Sequence, residues 1–256
     1  MKKRIVYNIE EFFPCSIFET LRSYDGRIFK LDEHISRLKG SAKTAGIELT
    51  KKETEGFKEL IISNYNKAHI KNAYIRFALS VPDKKTNLII KEIKTTPDEF
   101  YKKGVCLKTS VEKRPSELAF KYNAKSSNFL SGIFAKADTA GAFDAVILND
   151  KGYVAESTVA NIFMIKKGVI FTPLLSTGLL EGVTRQIVID LVKKNDLKIS
   201  ETNFSRHDLY NADECFLTST TTGILPVVEI DKRAIASGKP GEITIKLIKK
   251  FSELVK

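Results

Sequence analysis

Glu156-Ser157-Thr158-Val159-Ala160-Asn161-Ile162-Phe163, followed by Thr172-Pro173-Leu174-Leu175-Ser176-Thr177-Gly178-Leu179-Leu180-Glu181-Gly182-Val183-Thr184-Arg185, is the stretch on which the reading of this chain turns. The first part places one carboxylate, Glu156, on a short hairpin. The second leads through a Leu-Leu pair into a helix that starts at Gly-Val-Thr-Arg. A helix start exposes backbone N–H groups without partners and suits a phosphate. Upstream of both stands a lysine, in Lys125-Ser126-Ser127-Asn128-Phe129. A lysine, a carboxylate and an anion cradle are the parts needed to hold pyridoxal phosphate as a Schiff base.

The 256 residues allow one large domain or two small ones, and 43% hydrophobic residues suffice for a substantial core. Helical and strand-like patterns alternate, which predicts a mixed α/β or α+β protein. No run approaches the roughly 18 apolar residues that would span a membrane. The basic start, Met1-Lys2-Lys3-Arg4, leads into an apolar stretch broken by Asn8, Glu10 and Glu11, so it reads as a first strand and not as a signal peptide. Cys15, Cys106 and Cys215 are widely spaced and odd in number, with neither zinc spacing nor a disulfide framework. A reducing cytoplasm and no metal are the expectation. The net charge of +11 comes from lysines spread along the chain without interleaved aromatics. That distribution argues for a solvated surface and against nucleic acid.

Ser16 to Arg22 and Ile28-Phe29 flank an Asp25-Gly26 turn, a hairpin signal. A helix follows from Leu31 with Leu31, Ile35, Leu38, Ala42 and Ala45 on its inner face, then a second over about 52–66. Strands are expected over 73–81 and 87–93. The polar run Thr95–Glu99, with Pro97, is read as the linker between a domain over 1–98 and one over 99–256. The larger part should hold a strand near 105–111 and a helix after Lys125 with Phe129, Ile133 and Phe134 in the core. A strand at 144–148 and an antiparallel meander over 154–165 and 169–172 come next. A helix with the stripe Val183, Ile187, Val188, Leu191 and Val192 precedes strands near 198–202, 214–218 and 224–230. A last helix begins near Gly241 with Ile243, Ile245, Leu247, Ile248 and Phe251 inward.

The segments FETLRSYDGRIFKLDEHISRL from Phe18, then KSSNFL, ESTVANIF, LLEGVTR, SRHDLYNADECFLTSTTTGILPV and IASGKPGEIT stand in one order over nearly the whole chain. In that order they resemble the class IV aminotransferases, pyridoxal-phosphate enzymes of fold type IV. That family includes branched-chain and D-amino-acid aminotransferases and aminodeoxychorismate lyase. The resemblance implies an α+β, two-domain enzyme with a small N-terminal α/β domain and a larger C-terminal meander or barrel-like domain with helices. It also implies a homodimer, because the family builds part of its pocket from a neighbouring subunit.

By the same resemblance Lys125 is the Schiff-base lysine and proton carrier, in competition with Lys121 if the pattern is set aside. Glu156 faces the pyridine nitrogen, and Arg37 in His34-x-x-Arg37 binds the phosphate. The amides of Val183 and Thr184 and the loop of Ser219 and Thr220 join Arg37 there. Leu180 packs on the ring face. Asn161 and Arg185 read as structural. Phe18, Thr20, Tyr74, Arg76 and Thr221 are candidate substrate contacts. Tyr74 and Arg76 are read either as both facing the pocket or as alternate faces of a strand with Arg76 on the pocket side. The chain departs from the family pattern in two places. Glu11-Phe12-Phe13-Pro14-Cys15-Ser16 replaces a glycine-rich segment, and Phe129 stands where some relatives have a tyrosine that bonds the ring oxygen.

The implied reaction moves an amino group from an amino acid, a branched-chain L-amino acid first among them, to a 2-oxo acid such as 2-oxoglutarate. Tyr74-Ile75-Arg76 resembles the branched-chain enzymes, and the short loop of residues 82–87 lacks the Arg-x-His pair of D-amino-acid aminotransferases. Thr20 keeps an aminodeoxychorismate lyase as the alternative. A degenerate relative that binds without turnover is the lesser one.

Overall fold

The computed structural model describes residues 15–81, 83–114 and 124–256. The expected N-terminal strand, the altered Glu11–Pro14 segment, Pro82 and Lys121 lie outside the described residues. Among those described, the chain forms seven α-helices and thirteen strands in a mixed α/β arrangement.

The first sheet has the order β2-β1-β3-β4. Its strands are β1 (Cys15–Tyr24), β2 (Arg27–Ile28), β3 (Ala73–Val81) and β4 (Thr86–Glu92). Asp25 and Gly26 both take positive φ, 45° and 93°, as a tight two-residue hairpin requires. Helices α1 (Leu31–Thr44) and α2 (Lys51–Ala68) cover this sheet. Thr50 and Glu53 close a reciprocal capping box at the start of α2. Side chains alternate along a strand. Ile17, Leu21, Ile75, Phe77 and Leu79 therefore pack under α1 and α2 with Ile35, Leu38 and Ile61. Burying such a residue stabilises the fold by about 1.5–3 kcal/mol. Phe18, Thr20, Tyr74 and Arg76 point to the other side. Thr20 pairs with Arg76 and Arg22 with Tyr74 in the β1–β3 register. Tyr74 and Arg76, two residues apart, share one face, which removes the alternate-face reading. Ala45, expected inward, is the exposed residue after the last turn of α1.

The larger sheet runs β10-β9-β8-β11-β12-β5-β6-β7, with β13 on β12. The strands are β5 (Val105–Arg114), β6 (Asp144–Asn149), β7 (Val154–Ser157), β8 (Asn161–Lys166), β9 (Val169–Thr172), β10 (Lys198–Glu201), β11 (Glu214–Ser219), β12 (Gly223–Ile230) and β13 (Arg233–Ala234). The β10–β9, β12–β5 and β5–β6 pairs are parallel and the rest antiparallel. Helix α3 (Asp98–Lys103) starts within the polar run read as linker, with Asp98 and Glu99 in its first turn and Lys102 and Lys103 in its last, matching its dipole.

One face of the larger sheet buries Val105, Leu107, Val146, Ile162, Met164 and Leu217. Against the other pack α5 (Val183–Lys194) and, after the short α6 (Arg206–Tyr210), α7 (Glu242–Val255). Val188, Val192, Leu247 and Phe251 meet Phe163 and Phe216 there, whose rings stack 4.8 Å apart. Gly241 precedes α7 and has no side chain to cap it. Glu214 does so from β11, accepting from the amides of Ile243 (3.0 Å) and Thr244 (2.7 Å). Ile245, expected inward, is exposed.

Two further expectations are corrected. Residues 154–165 are not one limb of a meander. β7 pairs with β6 and β8 with β11 and β9, so β7 and β8 lie at separated places in the sheet. Only residues 158–160 join them, so the sheet curls to bring its β7 edge beside β8. The turn is closed by Ser157 and Ala160, each bonded to the other's backbone. Glu156 lies on the β6–β7 hairpin, opposite Ile147, in the edge strand of the sheet. In α4 (Leu130–Ala137), the buried residues are the small Gly132 and Ala135, whereas Ile133 is 60% and Phe134 53% exposed. The helix lies close to the sheet by its small residues and turns its large apolar ones outward.

Candidate active site

Residues 124–129 are tied to the first sheet although they precede α4 of the larger part. Phe18 donates its amide to the carbonyl of Lys125 (2.9 Å), and Ser127 donates its amide to Ser16 (2.7 Å). The amide of Lys125 donates to Ser41 Oγ on α1 (3.0 Å). These bonds hold Lys125 between the two sheets. Its ammonium nitrogen lies 4.8 Å from the Phe18 ring centre and 5.8 Å from that of Phe129. Burial pushes the Lys125 amine down to about 8. The charges of Arg37 and Arg76 act the same way, and those of Glu19 and Glu156 oppose them.

Glu156 closes the seam between β7 and β8. Its Oε1 accepts from Arg114 Nη2 at 2.7 Å, and its Oε2 accepts from Asn161 Nδ2 at 3.1 Å and the Leu180 amide at 3.2 Å. Burial raises the Glu156 carboxyl, and Arg114, the Leu180 amide and the Lys125 charge pull it back. Asn161 Nδ2 also donates to the carbonyl of Leu180 (2.8 Å), so the Leu179-Leu180 segment is fastened to the seam. Arg185 is buried and bridges the carbonyl of Pro173 (2.9 Å) to Glu201 (2.7 Å), the structural pairing expected of it.

Gly182 fits because it has no Cβ: one built there would lie 2.0 Å from Asn161 Oδ1. Gly182→Ala is therefore expected to displace Asn161 and with it Glu156. A thermal melt should show at least about 1–3 kcal/mol of lost stability, the range for overpacking. An unchanged melting temperature would contradict this packing.

The N-terminus of α5 faces the same pocket. Gly182 is its N-cap and no side chain caps it, so the amides of Val183 and Thr184 keep the free donors of a helix start. Arg37 approaches from α1, donating Nη1 to the carbonyl of Glu181 (2.9 Å). Ser219, the last residue of β11, and Thr220, the first of the turn that follows, come from the larger sheet, and Ser219 Oγ meets Thr222 Oγ1 at 2.8 Å. Thr218 Oγ1, at the end of β11, is buried without a hydrogen-bond partner among the described residues and borders this pocket.

Lys125, Glu156 and Arg37 thus line one pocket with Leu180, Val183 and Thr184, and with Ser219 and Thr220. The five candidate substrate residues, Phe18, Thr20, Tyr74, Arg76 and Thr221, line an adjoining cavity of about 700 Å³. Phe129, Thr158, Val159, Ser219 and Thr220 border both spaces, so the two communicate. Arg76 stacks on the Phe18 ring at 3.8 Å and has no ion-pair partner among the described residues. Phe129 meets Phe18 edge to face at 5.5 Å.

Sequence reasoning missed Glu19, His34 and Arg114. Glu19 shares the core-facing parity of Ile17 and Leu21, and a carboxylate at such a position was the available signal. Arg114 gave none, because its carboxylate partner is 42 residues away.

The pocket offers a depressed lysine amine, a buried carboxylate and an anion cradle of helix amides, hydroxyls and one guanidinium. A family model for class IV amino-transferases matches residues 16–230. A Methanocaldococcus jannaschii protein provisionally named a branched-chain-amino-acid aminotransferase is 37% identical, over 93% of this chain and 86% of its own. The D-alanine aminotransferase of Bacillus licheniformis is 34% identical, over 91% and 84%. Among solved structures, the Escherichia coli branched-chain amino acid aminotransferase is 28% identical with a TM-score of 0.88, over 94% of this chain and 86% of that one. A second solved enzyme of the same name, from T.th. and with pyridoxamine 5'-phosphate, is 30% identical with a TM-score of 0.87, over 94% and 85%. With its helix start, its lysine and its buried glutamate assembled in this fold, the chain belongs to the class IV aminotransferases and is a pyridoxal-phosphate-dependent enzyme.

Proposed function

We propose that this enzyme transfers the amino group of branched-chain L-amino acids to a 2-oxo acid such as 2-oxoglutarate. The observation that carries the reading is the meeting of Lys125 and Glu156 in one pocket that opens into the cavity lined by Tyr74 and Arg76. The residues present fit pyridoxal phosphate. Uncapped amides at the start of α5 suit its phosphate, the unpartnered Thr218 hydroxyl has an acceptor or donor to gain, and Glu156 is an acceptor suited to a protonated ring nitrogen. Bound there, the cofactor supplies an aldehyde for the amine and a ring that accepts the electrons left when the α-proton departs.

The roles we propose are those of this chain's own groups. Lys125 supplies the amine that binds the aldehyde and, once released, carries the α-proton between carbon atoms. Glu156 holds the ring nitrogen protonated, and Arg114 and Asn161 keep Glu156 in place. Arg37, Val183, Thr184, Ser219 and Thr220 bind the phosphate, and Leu180 covers one ring face. Phe18, Thr20, Tyr74, Arg76 and Thr221 receive the substrate. The aromatic and aliphatic wall suits a branched side chain, and Arg76 offers a cation to the distal carboxylate of 2-oxoglutarate. The loop after β3 supports L-specificity: its lysines are engaged with Glu53 and Asp83, away from the cavity.

The branched-chain relatives support this substrate class, and the aminotransferase names of both groups favour transamination over a lyase. The assay is formation of 2-oxo acid from single amino acids with 2-oxoglutarate. Turnover of leucine, isoleucine and valine above D-alanine supports the reading. Preference for D-alanine, or release of pyruvate from aminodeoxychorismate, replaces it.

The Lys125 amine also sets a pH dependence. Only the neutral amine attacks an aldehyde, so the rate at which apoprotein takes up cofactor should rise with pH to a midpoint at about 8 and then level off. A stopped-flow series at the visible band checks this. A midpoint near 10.5, the ordinary lysine value, would contradict it.

We also propose a cytoplasmic homodimer of two-domain subunits divided near residue 98. The four-stranded sheet ends at Glu92 and the larger one starts at Val105, each with its own core. Leu130, Ile133, Phe134 and Val159, all more than half exposed, form an apolar rim beside the substrate cavity that suits a second copy. The three cysteines are free, in keeping with a reducing compartment, and no described helix is long and apolar enough to cross a membrane. Sedimentation at several concentrations tests the dimer.

A further inference from the structure

Glu19 is fully buried on β1 and is held by two residues of α1. Arg37 donates Nε to Glu19 Oε1 (2.8 Å) and Nη2 to Oε2 (2.6 Å), a two-point fork. His34, 2% exposed, lies with Nδ1 2.8 Å from Oε2. Burial would raise the Glu19 carboxyl, yet Arg37 and His34 outweigh it and hold it at about 2. Glu19 is therefore an ionised acceptor, and His34 Nδ1 must carry the proton of that bond. Burial pushes His34 down, so it stays neutral at pH 7. The buried trio then carries one positive and one negative charge.

The donor count of Arg37 shows what the fork leaves. A guanidinium has five N–H donors. Two go to Glu19 and one to the carbonyl of Glu181. Two remain, one on each terminal nitrogen, on a side chain whose orientation is fixed from behind.

We propose that Glu19, oriented by His34, is a positioning residue of the active site that fixes the Arg37 guanidinium for the anion and cancels the charge that Arg37 would otherwise impose on Lys125. The proposal rests on the reading of Lys125 and Arg37 given above. The charged or titratable groups around Lys125 are Glu19 on β1, Arg37 and His34 on α1, Arg76 on β3 and Glu156 on β7, with Arg114 of β5 behind Glu156. Arg37 and Arg76 disfavour its ammonium form, and Glu19 and Glu156 favour it. Removing the Glu19 charge alone unbalances the set toward positive. Removing Glu19 and Arg37 together restores the balance.

The test uses the full-length apoprotein and pyridoxal, which carries the aldehyde without the phosphate, so that the anion-binding role of Arg37 does not enter. The pH midpoint of the uptake rate is measured for wild type, Glu19→Gln, Glu19→Asp and the double variant Glu19→Gln/Arg37→Gln. The expected result is a midpoint lower by about one pH unit in Glu19→Gln, within the range for an uncompensated like charge nearby. The double variant and Glu19→Asp should return to the wild-type midpoint. The Arg37 side-chain N–H signals in an ¹⁵N spectrum should sharpen into one averaged set when the fork is lost.

A Glu19→Gln midpoint equal to wild type, or a double variant shifted as far as the single, would overturn the proposal, because a merely structural carboxylate gives no such pattern. If Glu19→Gln does not fold, a changed midpoint in both Glu19→Asp and the double variant would overturn it equally. No uptake of pyridoxal or of pyridoxal phosphate by wild type would overturn the Lys125 reading and this inference together. Uptake with unshifted midpoints would overturn this inference alone.

Discussion

Lys125→Ala should yield a folded protein without the visible band of lysine-bound cofactor and with transamination lowered by at least about 10²–10⁴-fold, the usual contribution of a positioned acid–base group. The fold should survive because the bonds that anchor this position come from the backbone: the amide to Ser41 and the carbonyl to Phe18. Stability should even rise. Burial disfavours the ammonium form, so in the native apoprotein below pH 8 Lys125 carries a charge at a cost that alanine lacks. Between about 8 and 10.5 the native amine is neutral while the unfolded one is still protonated, so wild-type stability climbs with pH there. The advantage of Lys125→Ala should be largest below pH 8 and shrink above it. Denaturant titrations of both apoproteins at pH 7 and 10 measure this. Full activity in the variant would remove Lys125 from the chemistry, and an equal stability gap at both pH values would contradict its burial.

Glu156→Ala should be the most damaging single change to the pocket itself. It removes the carboxylate contacted by Arg114, Asn161 and the Leu180 amide, in a site where the acid is only 6% exposed. Taking one partner from a buried ion pair typically costs about 3–5 kcal/mol. Glu156→Gln keeps the volume but sets an amide against the Asn161 and Leu180 donors, so its stability loss should be smaller. Both variants should lose activity, because neither supplies a charge for a protonated ring nitrogen. Chemical denaturation separates the two stability losses, and the half-reaction with leucine measures the chemistry. A Glu156→Gln protein that reacts at the wild-type rate would contradict the assignment.

Much of this architecture was legible because its signals are local. The Asp25-Gly26 turn, the apolar spacing of α1 and the stripe of α5 depend on neighbours within a few residues. The Lys125, Glu156 and Val183-Thr184 segments stand far apart along the chain and were legible through their resemblance to a family; in the structure their residues line one pocket. What could not be read depends on partners far along the chain. The break between β7 and β8 follows from the curling of the whole sheet, which no window of residues 154–165 contains. Ile133 and Phe134 have a core-like spacing, yet Gly132 and Ala135 take the inner face because the helix sits close to the sheet. Glu19 lies within a strand pattern that was read correctly, but its meaning comes from Arg37 and His34 on the following helix.

A pocket that holds its cofactor on Lys125 and exchanges amino groups with branched-chain L-amino acids has a spectroscopic signature. The measurement is the visible spectrum of the cofactor-loaded protein before and after adding leucine, isoleucine or valine, with Lys125→Ala alongside. The prediction is a band absent from Lys125→Ala that these amino acids bleach in wild type and 2-oxoglutarate restores. A band that none of the three converts, or no band in wild type after loading with pyridoxal phosphate, would contradict it.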